Sequence, residues 1–252
     1  MKSKSGVYHI MLRGANRQEI FHDDEDYMRF IDFLYKYKLK TNVKMYGWCL
    51  MSNHVHLLVK EGNEEISNTM KRLGVSFVLY YNLKYGTTGH LFQDRFKSEN
   101  VEDRGYLLTV VRYIHQNPLK AGMVQQVDKW RWSSCREYYG THDEKRKLLD
   151  PELILGMFSD DTILARESFK KFNEGFQKDR CLDDHIQERK RTDEEARELI
   201  KNRLGGMEIA QIKSLPKRQR DEILKKAKEV EGLSHRQMAR ILGVSRTLIS
   251  KV

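Results

Sequence analysis

Apolar positions recur along the first 120 residues with two different periods. Tyr8–Leu12, Val43–Leu50 and His54–Val59 are short runs of β-branched, aliphatic and aromatic residues, which predict strands. The last two form a hairpin across Met51-Ser52-Asn53. Between the first two, Asp24 to about Lys40 has a helical period, capped by Asp23 or Asp24. A second helix runs from Glu64 to about Lys84, with Ile66, Met70, Leu73, Phe77 and Tyr80 or Tyr81 turned inward. Leu91–Ser98 reads as a fourth strand. A third helix, Asp103–Gln116, faces the core with Leu107, Val110, Val111 and Ile114 and stops before Pro118.

Beyond residue 140 the pattern is helical. Asp150-Pro151-Glu152 starts a short helix, and a cap at Phe158-Ser159-Asp160 precedes Ala165–Phe176. Asp193–Arg203 and Lys217–Glu231 are separated by Leu215-Pro216, and Ser234–Lys251 reads as a helix-turn-helix. In it Ser234 caps the first helix, Gly243 breaks it and Ser245 caps the second, with Ala239, Val244 and Ile249 as core points. The expected class is α+β. A ferredoxin-like βαββαβ domain, an antiparallel sheet with helices on one face, precedes an all-α C-terminal region. The expected units are 1–140, a helical connector at 141–187, and 188–252 with the helix-turn-helix at 233–252.

Charge adds a partner. The 252 residues carry 46 Lys and Arg against 36 Asp and Glu, a net charge of +10. Residues 1–140 are net +6, 141–187 net −3 and 188–252 net +7. Two basic blocks around an acidic one predict two modules facing a polyanion. Cys49, Cys135 and Cys181 are odd in number and lack metal spacing, which predicts reduced thiols in a cytoplasmic protein. No apolar run reaches membrane-spanning length.

Two stretches carry candidate chemistry. On a strand, His54 and His56 point the same way while Val55 enters the core, so the two imidazoles can share one divalent cation. A polar outer face is the plainer reading of a bare His-x-His. On the third helix, Tyr113 and Asn117 lie one turn apart, offering a nucleophile and an amide oxygen in one patch. Alone, Tyr113 reads as a core-edge tyrosine. His115 is turned about 200° from it and is expected to make a structural hydrogen bond. His9, His22 and His90 receive no role. Arg13, Arg17, Arg95, Lys97, Arg112 and Lys120 are candidates to line a phosphate-backbone groove, Arg95 above the others because it alternates with Phe96 near the presumed site. Trp48, Phe92 and Trp132 suit the core better than base stacking. In the C-terminal region Arg246, Thr247 and Ser250 would face a major groove.

The chain resembles the single-tyrosine transposases of the HUH superfamily, most closely the REP-associated tyrosine transposases. The resemblance rests on Tyr8-His9-Ile10 with Arg13-Gly14, Ile20-Phe21 and Met51 to Val59. It continues through Gly89 to Ser98, Arg112 to Gly122, and Trp132-Ser133-Ser134 with Tyr138-Tyr139-Gly140. It implies His54 and His56 as metal ligands, Tyr113 as nucleophile and Asn117 as third ligand, with Gln116 next to it as the alternative. It also implies Mg²⁺ or Mn²⁺, a single-stranded DNA substrate with hairpin ends, and cleavage and rejoining through a 5′-phosphotyrosine. Duplex DNA is a further expected partner of the C-terminal region; the chain is expected to act as monomer or homodimer. Two rivals remain at this level. One is a DNA-binding regulator with an inert transposase domain; the other is a metal-dependent phosphodiesterase without a covalent intermediate.

Overall fold

Both faces of the strand pattern are apolar, which requires packing on both sides of a sheet. The computed structural model describes residues 2–141, 147–175, 181, 192–230 and 233–251. Its strands are β1 (Val7–Arg13), β2 (Lys44–Met51), β3 (His54–Lys60) and β4 (Lys97–Asn100), antiparallel in the order β2–β3–β1–β4. Helices α1 (Asp24–Thr41) and α2 (Ile66–Tyr85) follow β1 and β3. They pack on the face that carries Ile10, Leu12, Leu50, Val55 and Leu57. Asp23 caps α1 by accepting from the Asp26 amide. This is the expected βαββαβ order.

The other face is not open. Val7, Tyr46, Cys49, Met51 and Leu58 on it pack beneath α3 (Arg104–Lys120), together with Val110, Val111, Tyr113 and Ile114. Helices α4 (Cys135–Tyr138), α5 (Glu152–Leu155) and α6 (Thr162–Glu174) complete this layer. The expectation of helices on one face therefore gives way to a sheet covered on both. The segment read as a connector contributes to it directly. Phe169 of α6 stacks on Tyr138 at 4.4 Å, and Asn173 Oδ1 lies 3.0 Å from His115 Nδ1. Asp150 accepts from the Met45 amide at 2.8 Å and pairs with Lys38 at 2.7 Å.

Two boundaries differ from expectation. The fourth strand is Lys97–Asn100 rather than Leu91–Ser98; Leu91 and Phe92 are buried in a loop that runs beside the end of β1, with a Gly14–Phe92 bridge. Helix α3 also runs through Pro118 to Lys120. A proline this near the end breaks few backbone bonds, so the helix tolerates it.

A tight segment links the sheet to the C-terminal helices. Gly14 ends β1, and a Cβ there would lie 2.2 Å from the Gln18 carbonyl oxygen, so only glycine fits. The chain then loops so that Gly14 donates to the Asn53 carbonyl at 3.0 Å and Ile20 to the Ser52 carbonyl at 2.8 Å. The C-terminal helices are α7 (Asp193–Arg203), α8 (Lys217–Lys228), α9 (His235–Ile241) and α10 (Arg246–Lys251). They share a core of Ala196, Ile200, Leu224, Met238 and Ile249. From α7, Arg197 donates to the His22 carbonyl at 2.8 Å and the Phe21 carbonyl at 3.1 Å, with Nε 2.7 Å from the Glu19 carboxylate. Burial pushes the Glu19 carboxyl up to about 8, and Arg197 pulls against it.

Removing Arg197 takes its donors from the buried Glu19 carboxyl and from the Phe21 and His22 carbonyls. Arg197→Met is expected to cost about 3 kcal/mol in chemical denaturation. Adding Glu19→Gln should recover part of that loss. Equal unfolding midpoints for Arg197→Met and the parent would show that this contact does not hold the helices to the loop.

Candidate active site

Pairing register determines which side chains meet on the α3 face. Across β1 and β3, Met11 lies opposite His56 and Arg13 opposite His54. His9 is one strand period before Met11, so it joins His54 and His56 on that face. Helix α3 brings Tyr113 down on them. The Tyr113 ring centroid lies 5.7 Å from that of His56 and 5.9 Å from that of His9, both edge-to-face. The His54 and His56 rings are 4.9 Å apart. Tyr113 is 2% exposed. The Lys120 ammonium sits 5.3 Å above its ring, on the same helix.

Hydrogen bonds orient the imidazoles. Asn53 Nδ2 donates to the Arg17 carbonyl at 3.3 Å, which turns Oδ1 toward His54 Nδ1 at 2.6 Å. His54 Nδ1 must then carry its hydrogen, and the lone pair falls on Nε2. His56 Nδ1 lies 3.0 Å from His9 Nε2, while His56 Nε2 is buried without a hydrogen-bond partner. Burial lowers the His9 pKa to about 4, and burial with the nearby His54, His9 and Arg13 lowers that of His56 well below its ordinary value. Both rings are neutral at pH 7, the state a metal ligand requires.

The amides of α3 divide between two tasks. Gln116 Nε2 donates to the carbonyls of Asn173 at 2.8 Å and Gly175 at 2.9 Å, so its side chain is committed to α6. Asn117 Nδ2 donates to the Tyr113 carbonyl at 3.2 Å, which leaves Oδ1 as its available oxygen. Among the described residues no group of three His, Cys, Asp or Glu side chains could hold a metal ion. A cation here would therefore draw on the histidine pair and an amide. The residues fit such an ion: His54 and His56 share one face of β3, and the outer nitrogen of His56 is buried and unmatched.

The basic candidates separate. Arg13 is half-buried beside His54. Arg95 is exposed, and it lies in the loop before β4 rather than on a strand. That loop stays close to the site because the Gln93 amide donates to the Arg13 carbonyl at 2.8 Å. Arg112 is a correction: it is buried, its guanidinium 4.2 Å over the Phe172 ring, and packing replaces the expected phosphate contact. Arg246, Thr247 and Ser250 are exposed on α10. Trp48, Phe92 and Trp132 are buried. His115 bonds Asn173 and, through Nε2, the Ser134 hydroxyl at 2.9 Å.

Sequence reasoning gave no role to Asn53 or His9. The signal was present in Ser52-Asn53-His54 and Tyr8-His9-Ile10, but only strand pairing brings His9 against His56. No helix among the described residues is long and apolar enough to cross a membrane.

Comparison with curated proteins gave no match. A solved structure described as a REP-associated tyrosine transposase bound to a REP hairpin is 21% identical. The alignment covers 54% of this chain and 81% of that one, with a TM-score of 0.47. Residues 2–117 match the family model described as Transposase IS200 like. That span holds the whole sheet, His54, His56, Tyr113 and Asn117, and it is similar to the IS200-like transposase family.

Proposed function

We propose that the chain cuts and rejoins single-stranded DNA with hairpin ends through a covalent bond to Tyr113. The observation that carries this reading is the seating of the Tyr113 ring against His56, whose outer nitrogen is buried and unmatched. His54, His56 and Asn117 would hold a divalent cation, Mg²⁺ or Mn²⁺. When bound, it would draw charge from a non-bridging phosphate oxygen.

Tyr113 Oη attacks phosphorus. The Oη–P bond forms, the P–O3′ bond breaks, the electron pair leaves on O3′, and O3′ takes up a proton from solvent as the phenol releases its own to solvent. The products are a 5′-phosphotyrosine and a 3′-hydroxyl. An unperturbed phenol has a pKa of about 10, so the proton must leave during attack. The Lys120 ammonium lies 5.3 Å over the Tyr113 ring. One phosphoester replaces another, so the step reverses without an energy source. That suits strand transfer better than hydrolysis. Arg13 and Arg95 would contact the phosphate backbone near the cut. The basic C-terminal region, with Arg246, Thr247 and Ser250 on a helix-turn-helix, would bind duplex DNA.

The test is incubation of the full chain with a hairpin-bearing single strand, labelled on either side of the junction, and Mn²⁺. The expected product is a protein–DNA adduct that survives denaturant and carries the 3′-side fragment. Cleavage that yields only free fragments would overturn the covalent reading.

A further inference from the structure

We propose that His9 is a positioning residue for the cation-holding pair, and that Glu99 sets the direction of the hydrogen bond between His9 and His56. The inference rests on the cation reading above and deepens it. His9 Nε2 and His56 Nδ1 lie 3.0 Å apart, both rings fully buried, so one hydrogen sits between them. Which ring owns it decides what His56 offers on its far side.

Two arrangements are possible for neutral rings. If His56 Nδ1 donates, His56 Nε2 carries a lone pair and His9 carries its own hydrogen on Nδ1. If His9 Nε2 donates, His56 carries its hydrogen on Nε2 and cannot ligate there, while the His9 Nδ1 lone pair faces outward. The environment separates the two. His9 Nδ1 has the Glu99 carboxylate 3.9 Å away. Glu99 pairs with His9 across the β1–β4 ladder, and the Tyr106 hydroxyl also bonds its carboxylate. A hydrogen on His9 Nδ1 is attracted to that carboxylate, whereas a lone pair there is repelled. At the other end, a hydrogen on His56 Nε2 would be a buried donor without an acceptor.

His9 Nδ1 and Glu99 Oε2, 3.9 Å apart, make no hydrogen bond, so the charge of the carboxylate decides the direction and turns the His56 lone pair outward. Asn53 does the same for His54 by accepting from its Nδ1. The two ligands are thus presented in one tautomer by two unrelated elements, the β1 strand and the Arg17–Asn53 contact. Hydrogen-bond partners of this kind hold a ligand's orientation and raise its basicity.

Nitrogen-15 NMR of histidine-labelled, metal-free full-length protein reads the tautomer directly. The expected parent spectrum has His56 protonated at Nδ1 and bare at Nε2. His9→Gln, whose Oε1 reaches the position of the lost Nε2, should keep that tautomer. His9→Phe fills the space without an acceptor and should shift His56 toward Nε2–H. Glu99→Ala should bring the two tautomers closer to equal.

Calorimetric titration with Mn²⁺ is the second readout. His9→Phe should lose about 10- to 100-fold in affinity, and His9→Gln should stay near the parent. A purely structural His9 would lower the unfolding midpoint and leave tautomer and affinity unmoved. The proposal is overturned by a parent in which His56 is protonated at Nε2, which requires no variant to fold. It is also overturned by His9→Phe matching the parent in both readouts. A parent with the expected tautomer that binds no Mn²⁺ removes the cation reading and upholds the direction of the His9–His56 hydrogen bond.

Discussion

Tyr113→Phe is expected to abolish cleavage while DNA binding and Mn²⁺ binding persist. The substitution keeps the ring that packs against His9 and His56 and removes a single oxygen. Its cost in stability should be on the order of 1 kcal/mol. No other hydroxyl of α3 can take over. Thr109 is tied to the Gly105 carbonyl at 3.1 Å, and Tyr106 is engaged with Glu99. A site whose nucleophile were water would behave otherwise, because the phenol would then only assist. The measurement is the nicking rate of the variant on a hairpin substrate with Mn²⁺. A rate of even roughly a tenth of the parent's would replace the phosphotyrosine mechanism with a metal-dependent phosphodiesterase.

His54→Ala and His56→Ala should lose cleavage together and differ in stability. His54 is half-buried at the start of β3, held by Asn53, and its truncation should change the unfolding free energy by about 1 kcal/mol at most. His56 is fully enclosed between His9 and Tyr113, so its removal opens a cavity and orphans His9 Nε2. A loss of roughly 3 kcal/mol is expected there. Denaturant titration alongside Mn²⁺ calorimetry checks both. Undiminished Mn²⁺ affinity in the double variant would remove the pair as ligands.

The main elements were legible because their apolar periods are strong. Asp23 at the start of α1, the hairpin at Ser52-Asn53 and the inward row from Ile66 to Phe77 all follow from residue type and spacing. The fourth strand was misplaced for a physical reason. Lys97-Ser98-Glu99-Asn100 is a polar edge strand that pairs through its backbone and shows no apolar signal. Leu91 and Phe92 carry that signal but are buried in a loop.

Arg112 looked like a surface cation because nothing local reveals that α6 lays Phe172 against it. His9 is the clearest case among the site residues. A lone histidine in an apolar strand reads as core, and its partner lies 47 residues further along the chain. His54 and His56 could be paired from spacing alone, since strand alternation is local. Their tautomers could not, because those depend on contacts made by β1, β4 and the Gly14–Phe21 loop.

That loop also limits how such a protein can change over generations. Its inner side is hydrogen-bonded to Ser52 and Asn53, next to the first histidine, and its outer side accepts from Arg197 and abuts Gly243. A Cβ at position 243 would come within 2.9 Å of the Gln18 side chain, so the fit is close. C-terminal helices grafted from a distant relative would have to arrive with an arginine that meets Glu19 and a residue, best glycine, that takes the φ of +65° at position 243. Without the arginine, the recipient keeps the Glu19 carboxyl buried without its partner behind the segment that holds Asn53 in place. Exchange of the C-terminal helices is therefore easiest between chains already matched to this loop.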